Sequence, residues 1–231
     1  MKAIILAAGR GRRMMKLTDN EPKCKIKLFG KPLIEWQLKA IKKNDIKSIG
    51  IVTGYKRKEL KEYKLKEFFN KQWSNSQMFA SLRCANNWLS EDYCIVSYSD
   101  IFYDSEAIKL LMSSDSDIAI TYDPNWISIW SKRFDDPLLD AETFLINSSS
   151  NLIEIGNKPT SLKEVQGQYM GLIRITPVGW KKMNSVVSDL SKNEQDNIHL
   201  TKVLQLIVQE KLFNIKVCEC NNCECQVDRN I

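Results

Sequence analysis

The sequence is poor in histidine and contains no long apolar run. One histidine stands among 231 residues, which disfavours catalytic triads and histidine-based metal hydrolases. No apolar segment approaches the roughly 20 residues that span a bilayer. The apolar start of the chain is too short for a signal peptide. We therefore expect a cytoplasmic protein with no membrane partner.

The sequence also lacks a strong charge excess and an even number of cysteines. The net charge is +6, and the lysine-rich segment 56–66 alternates with acids. A nucleic-acid-binding protein usually shows a basic face with interleaved aromatic residues, so we expect no nucleic-acid partner. Seven cysteines favour free thiols in a reducing compartment over a disulfide framework.

The first half of the chain alternates short apolar segments with amphipathic ones. The alternation predicts an α/β fold of three layers (α/β/α), Rossmann-like, with a mostly parallel mixed sheet. We expect a single domain over 1–231, in which residues 124–163 form a lid inserted over the acceptor side of the site. Strands are predicted at 2–8, 48–55, 93–100, 116–123 and 166–176, helices at 31–46, 56–68, 76–89, 104–114, 176–190 and 199–211, and a closing hairpin at 214–228.

A loop with two glycines and several cations follows the first predicted strand. Gly9 and Gly11 do not complete G-x-G-x-x-G, because Met14 stands at the third glycine position, and the P-loop pattern is absent. Glycines let backbone N–H groups approach phosphate oxygens. Arg13 and Lys23 could then neutralise the charge of a phosphoryl group. The alternative is an ordinary turn with surface cations.

Residues 1–38 resemble the opening signature of the nucleotidyltransferases that activate sugar phosphates and small alcohol phosphates. That signature reads approximately AAGxGTRLxPLTxxxPKxLxxxxGKPLIxxxL, and this chain departs from it at Arg12 and at 15–16. The resemblance implies that the glycine loop binds a nucleoside triphosphate and that Arg13 and Lys23 are catalytic. It further implies nucleotide contacts at Leu6, Ala7, Ala8, Gly9, Gly11, Arg12, Gln77, Ser81 and Ser99.

Asp100 ends a predicted strand, at the sheet edge where ligands bind in such folds. A carboxylate there suits Mg²⁺, although a turn residue would explain the same position. Asp100 resembles the first metal aspartate of the family, and Asp228 resembles the second. The resemblance therefore implies Mg²⁺ as the cofactor, bound by these two residues.

The lid contains aromatic and acidic residues together. Such a mixture favours a cationic or amine-bearing acceptor, although two tryptophans four residues apart could equally belong to the core. Lys158 resembles a family lysine that binds the acceptor phosphate, and 167–172 resembles a glycine-flanked strand beside the acceptor. The predicted acceptor-binding residues are Lys158, Trp126, Arg133, Tyr169 and Gly171.

Residues 75–85 resemble a stretch of the cytidylyltransferase branch, where Ser81 would contact the base and Gln77 would be a weaker contact. The prediction is an Mg²⁺-dependent enzyme that transfers CMP from CTP to a small phosphorylated amine and releases pyrophosphate. L-glutamine phosphate (for capsular phosphoramidate) and phosphocholine-like compounds are the expected acceptors, for decoration of cell-surface polysaccharide. Three alternatives are a sugar-1-phosphate uridylyl- or thymidylyltransferase, a non-catalytic nucleotide-sensing subunit, and a glycosyltransferase, which would need a D-x-D motif. The sequence leaves a homodimer open.

Two further features have structural interpretations. Alternation across the hairpin 218–225 places four cysteines on one face, and small core residues explain them better than a zinc site, because the spacing is unusually tight. His199 lies in a helical pattern and is interpreted as structural, so no histidine base is expected near the motifs.

Overall fold

The computed structural model describes residues 1–11 and 18–221 of the chain. The predicted contacts Arg12, Arg13 and Asp228, the second half of the cysteine hairpin and the Arg133 side chain lie outside this description. The strands are β1 (Lys2–Ala7), β2 (Lys27–Leu28), β3 (Lys31–Pro32), β4 (Ser48–Thr53), β5 (Lys66–Phe69), β6 (Cys94–Tyr98), β7 (Ile118–Asp123), β8 (Phe144–Ile146), β9 (Leu152–Ile155), β10 (Gln168–Ile175) and β11 (Lys216–Glu219). The helices are α1 (Leu33–Lys42), α2 (Met78–Arg83), α3 (Asn86–Glu91), α4 (Ser105–Met112), α5 (Trp126–Arg133), α6 (Pro177–Ser188), α7 (Lys192–Asn197) and α8 (Leu200–Gln209).

Seven strands form the central sheet in the order β11-β7-β10-β6-β1-β4-β5. The strand pairs of this sheet are parallel except those of β10, which runs antiparallel to both β6 and β7. Because of this reversal, the start of β10 lies at the carboxyl edge of the other strands. The predicted fold class is confirmed.

The core lies on both faces of the sheet, and β1 shows why. Its alternate residues Ile4 and Leu6 join one buried cluster, with α2, α3, α6 and α8. Ala3 and Ile5 join the other, with α1, α4 and α5. A strand covered on both faces reads as a continuous apolar run, as this one does.

The described structure corrects two sequence predictions and adds a helix that was not predicted. The expected helix over 56–68 is a 3₁₀ turn, Arg57–Tyr63, followed by β5. Lys56 and Lys64 flank the turn with left-handed φ angles of 46° and 51°, which a continuing α-helix does not allow. The single helix expected over 76–89 is divided into α2 and α3, and α7 was not predicted.

Residues 124–163 contribute α5, a 3₁₀ turn (Pro137–Leu139) and the two-stranded sheet β8–β9, which is separate from the central sheet. At the end of the described chain, β11 joins the central sheet in parallel with β7. Cys24, Cys84, Cys94 and Cys218 are free. Cys220 is disulfide-bonded, so the expectation of free thiols is wrong at that position. Within 1–11 and 18–221, no helix has the length and apolar character to cross a bilayer.

Candidate active site

The glycine loop leaves the carboxyl end of β1, which lies between the parallel strands β6 and β4. Ala7 and Ala8 are buried, whereas Gly9 is exposed and its missing Cβ would contact nothing within 4 Å. Gly11 has φ +67°, and a Cβ there would stand 3.2 Å from Cδ of Lys23. The backbone of the loop is therefore open at Gly9, and the alkyl chain of Lys23 packs against Gly11.

Lys23 and Asp100 form an ion pair beside this loop. Lys23 Nζ donates to Oδ2 of Asp100 at 2.7 Å, across 77 residues of sequence. The two side chains are 14% and 20% exposed, so the pair is partly shielded but open to a ligand. Asp100 follows β6, which pairs directly with β1. Neighbouring parallel strands thus bring two predicted site residues into contact.

The predicted base-contacting residues lie at the start of α2. Ser81 is buried, and its Oγ accepts a hydrogen bond from Nδ2 of Asn70 at 3.0 Å. Gln77 is exposed, and its backbone N–H donates to the carbonyl of Asp196 at 2.7 Å. Asn70, which sequence reasoning missed, follows β5 at the same carboxyl edge. The segment before Asn70 has a helical pattern in the sequence, so no sequence signal marked this residue.

A cavity of about 220 Å³ opens beside Asp100. It lies between the carboxyl edge of the sheet, the β8–β9 sheet and the beginning of α8. The rings of Tyr98 and Tyr169 meet edge to face at 5.8 Å in its wall. The polar and aromatic residues of the lining are Tyr98, Asp100, Trp130, Asp140, Glu142, Thr143, Phe144, Gln168, Tyr169, His199 and Thr201.

The family comparison agrees with this geometry. Residues 3–148 match the MobA-like NTP transferase domain, a segment that contains the glycine loop, Lys23 and Asp100. This chain belongs to that family. It is therefore a nucleotidyltransferase, as the sequence predicted.

Among curated proteins, the transferase is 32% identical to the CTP:phosphoglutamine cytidylyltransferase of Campylobacter jejuni subsp. jejuni serotype O:2, over 99% of this chain and 96% of the relative. It is 38% identical to the choline-phosphate cytidylyltransferase of Streptococcus pneumoniae over 44% of this chain and 46% of the relative. Among solved structures, the inositol-1-phosphate CTP transferase from T. maritima superposes with a TM-score of 0.75 at 21% identity, covering 99% of this chain and 89% of that one. This structural likeness supports the fold.

The predicted acceptor residues of the transferase divide into two groups. Tyr169 lines the cavity, and Gly171, with φ +77°, leaves room for the ring of Tyr98, which would stand 2.6 Å from an added Cβ. Trp126 is 4% exposed and donates its Nε1–H to the carbonyl of Val165 at 3.2 Å. Trp126 therefore belongs to the core, and Trp130 is the tryptophan that lines the cavity.

Lys158 lies away from the cavity lining. Its exposed ammonium group donates to the carbonyls of Leu138 and Leu139, the latter at 2.7 Å. These bonds tie the end of β9 to the 3₁₀ turn of the insertion. Contact between Lys158 and an acceptor phosphate stays a prediction, and it would require the ammonium group to leave both carbonyls.

His199 corrects the structural interpretation of the single histidine. It is exposed, stands immediately before α8 and lines the same cavity as Asp100. The lid acids were expected as a group, and the structure identifies Asp140 and Glu142 as the members at the cavity. Which acids of the lid reach the cavity depends on how residues 124–163 fold over the site, and the hydrophobic pattern of the sequence does not show this.

Proposed function

We propose that this transferase moves CMP from CTP to a small phosphorylated, amine-bearing acceptor and releases pyrophosphate. The observation that carries the proposal is the Lys23–Asp100 pair, which lies between the glycine loop and an aromatic, acidic cavity. Two relatives are cytidylyltransferases by name. L-glutamine phosphate is the first choice of acceptor, because the phosphoglutamine enzyme matches nearly the whole chain. A role in capsular polysaccharide decoration is part of the same proposal.

On the nucleotide side, the proposal assigns the triphosphate to the glycine loop. Lys23 would exchange Asp100 for the phosphate oxygens and neutralise charge as pyrophosphate leaves. Arg12 and Arg13 are proposed to assist from outside the described residues. Ser81 is proposed to contact the base, supported by its buried hydroxyl and the Asn70 bond that fixes it.

Mg²⁺ is the proposed cofactor, and the donor chemistry fits it. Mg²⁺ is usually held by one or two carboxylates together with substrate phosphates. Asp100 offers one carboxylate, and residues 1–11 and 18–221 hold no cluster of three or more His, Cys, Asp or Glu that could form a complete protein cage. Asp228 is the proposed second ligand. When bound, the ion would neutralise charge on the phosphate oxygens.

The acceptor would need little proton transfer, because the oxygens of its phosphate group are already nucleophilic at neutral pH. The protein's main task is then alignment. The aromatic rings of Tyr98, Tyr169 and Trp130 and the carboxylates of Asp140 and Glu142 supply cation–π and ionic contacts that suit an ammonium group.

The test is pyrophosphate release with Mg²⁺, crossing four nucleoside triphosphates with glutamine phosphate, phosphocholine, 2-aminoethylphosphonate and sugar 1-phosphates. Release with CTP and an amine-bearing acceptor supports the proposal, and Glu142→Gln should then raise the acceptor KM without changing the KM for CTP. Release with UTP or dTTP and a sugar phosphate would overturn the acceptor assignment. CTP binding without turnover across the panel would favour a nucleotide sensor.

A further inference from the structure

Helix α1 carries a fully buried amide where its pattern calls for an apolar residue. The buried face of α1 comprises Leu33, Ile34, Gln37, Leu38, Ala40 and Ile41. Gln37 is 0% exposed. Glutamine is uncommon in such a position unless its polar atoms are bonded.

The Gln37 amide closes a small loop around Asp100. Its Nε2 donates to the carbonyl of Tyr98 at 2.9 Å and to the carbonyl of Ile101 at 2.7 Å. These two carbonyls bracket Ser99 and Asp100. Tyr98 O also accepts from the hydroxyl of Ser97 at 2.9 Å. Through these two bonds from Gln37, helix α1 holds the turn that carries the Asp100 carboxylate.

The same amide carries an energetic disadvantage. Gln37 Oε1 is buried and has no hydrogen-bond partner among the described residues. A buried acceptor without a partner destabilises a fold, and an apolar side chain of the same shape would avoid that cost. Local rules are broken in this way mainly where function requires it, and the two donor bonds point to the Asp100 turn.

We infer that Gln37 is a positioning residue that fixes the Asp100 carboxylate for the metal–triphosphate complex. The inference rests on the proposed function, since it takes Asp100 as a metal ligand. Asp100 also accepts from Lys23 in the structure. When Lys23 moves to the phosphate oxygens, the two Gln37 bonds still hold the turn and keep the Asp100 carboxylate within reach of the glycine loop. Partners that orient a ligand from behind typically change metal affinity or activity by 10–100-fold.

A purely structural role makes a different prediction, and α1 supplies the matched control. Asn44 Nδ2 donates to the carbonyls of Ala40 at 3.1 Å and Ser105 at 2.9 Å. This amide joins the end of α1 to α4, as Gln37 joins α1 to the Asp100 turn. Loss of either amide removes two hydrogen bonds, but only the Gln37 amide brackets Asp100.

The experiment measures Mn²⁺ binding to the full chain in the presence of CTP and without acceptor, by the electron paramagnetic resonance signal of free Mn²⁺. Four proteins are compared: native, Gln37→Met, Asn44→Leu and Asp100→Asn. We expect Gln37→Met to weaken Mn²⁺ binding about 10-fold, with a melting temperature near the native value because the unpartnered acceptor is also removed. Asn44→Leu should lower the melting temperature and leave Mn²⁺ affinity unchanged.

Native affinity in a folded Gln37→Met protein, alongside weakened binding in Asp100→Asn, would overturn the positioning role alone. Native Mn²⁺ affinity in Asp100→Asn would remove Asp100 from the metal site. It would overturn both the proposed role of Asp100 as a metal ligand and the positioning role of Gln37. Equal losses of affinity in Gln37→Met and Asn44→Leu would indicate a general packing effect and overturn the positioning role. Gln37→Leu also replaces the amide by an apolar side chain, so it gives the same test should the methionine variant fail to fold.

Discussion

The two edges of the central sheet treat their polar groups differently. At the amino edge, charges are paired between adjoining elements: Lys182 bonds Asp117 at 2.9 Å, and the amino group of Met1 lies 3.2 Å from Asp92. At the carboxyl edge, the Lys23–Asp100 pair borders a cavity and Gln37 leaves an acceptor unpartnered among the described residues. The first arrangement stabilises the fold, whereas the second keeps polar groups available to ligands at some cost in stability.

The largest effect is expected where the carboxyl edge carries charge. Lys23→Ala should lower kcat/KM for pyrophosphate release by about 100-fold or more, because the variant loses the cation that stabilises the leaving phosphates. Lys25→Ala is the matched control, since Lys25 lies in the same 3₁₀ turn but bonds Glu62 at 2.8 Å. Near-normal turnover in a folded Lys23→Ala protein would remove Lys23 from the chemistry.

Backbone geometry at the same edge should have the next largest effect. Gly171→Ala combines a left-handed φ with a Cβ only 2.6 Å from the Tyr98 ring, and we expect a loss of about 3 kcal/mol in the free energy of unfolding. Gly30→Ala has a similar φ of +74° but no neighbour within 4 Å, so about 1 kcal/mol is expected. Urea unfolding of both variants measures the difference. Equal losses would show that Tyr98 moves aside without cost.

The sequence predicted the nucleotide side of the candidate site better than the acceptor side. Asp100 could be predicted because it ends a strand at the edge of the sheet where ligands bind, whereas Lys23 was predicted through the resemblance of residues 1–38 to the nucleotidyltransferase signature. The strand β5 was missed because the charged segment before it has a helical pattern, and only the structure shows Lys56 and Lys64 in left-handed conformations.

The acceptor side was less predictable because it depends on tertiary packing. Trp126 and Trp130 are four residues apart on α5, and both are 4% exposed. Sequence does not distinguish the one that bonds Val165 from the one that lines the cavity. His199 reaches the cavity because α8 begins there, which no local pattern indicates. Gln37 lies in an otherwise regular amphipathic helix, so the sequence pattern did not mark it as a site residue.

A smaller effect is expected at Tyr55, which holds the glycine loop. Its N–H donates to the carbonyl of Ala8 at 2.9 Å, and its hydroxyl lies 3.0 Å from the carbonyls of Thr18 and Asp19. Tyr55→Phe removes the hydroxyl bonds, and a net loss of about 1 kcal/mol corresponds to roughly a fivefold rise in the KM for CTP. Tyr93→Phe, at the amino edge, should leave this KM unchanged. A Tyr55→Phe protein with native KM would show that the loop is held without the hydroxyl.

The smallest effect is expected at Asp117 and Asp123, whose carboxylates lie at opposite ends of β7. Burial tends to raise the pKa of Asp117, but bonds from Lys182 and Thr176 outweigh it and leave the pKa below the ordinary 3.8. The ionised Asp117 carboxylate therefore stabilises the folded protein above about pH 3.8, and this stabilisation is lost as the pH falls through the lowered pKa. Because the pair is about one-third exposed, Asp117→Asn should cost only about 0.5–1 kcal/mol at pH 7, with the difference from native vanishing in acid.

Asp123, the last residue of β7, should behave in the opposite way. Burial raises the pKa of Asp123 above 3.8 despite the hydrogen bond from the Asn125 N–H. Its ionised form is thus disfavoured in the folded state, and stability should increase as the pH falls through the raised pKa. Asp123→Asn keeps an oxygen acceptor and should stabilise the protein at pH 7, with the gain shrinking in acid. Urea unfolding at pH 7, 5, 3.5 and 2 measures both variants, because the Asp117 window lies below pH 3.8 and the Asp123 window above it. pH dependences of the same sign would contradict the proposed difference between the two edges.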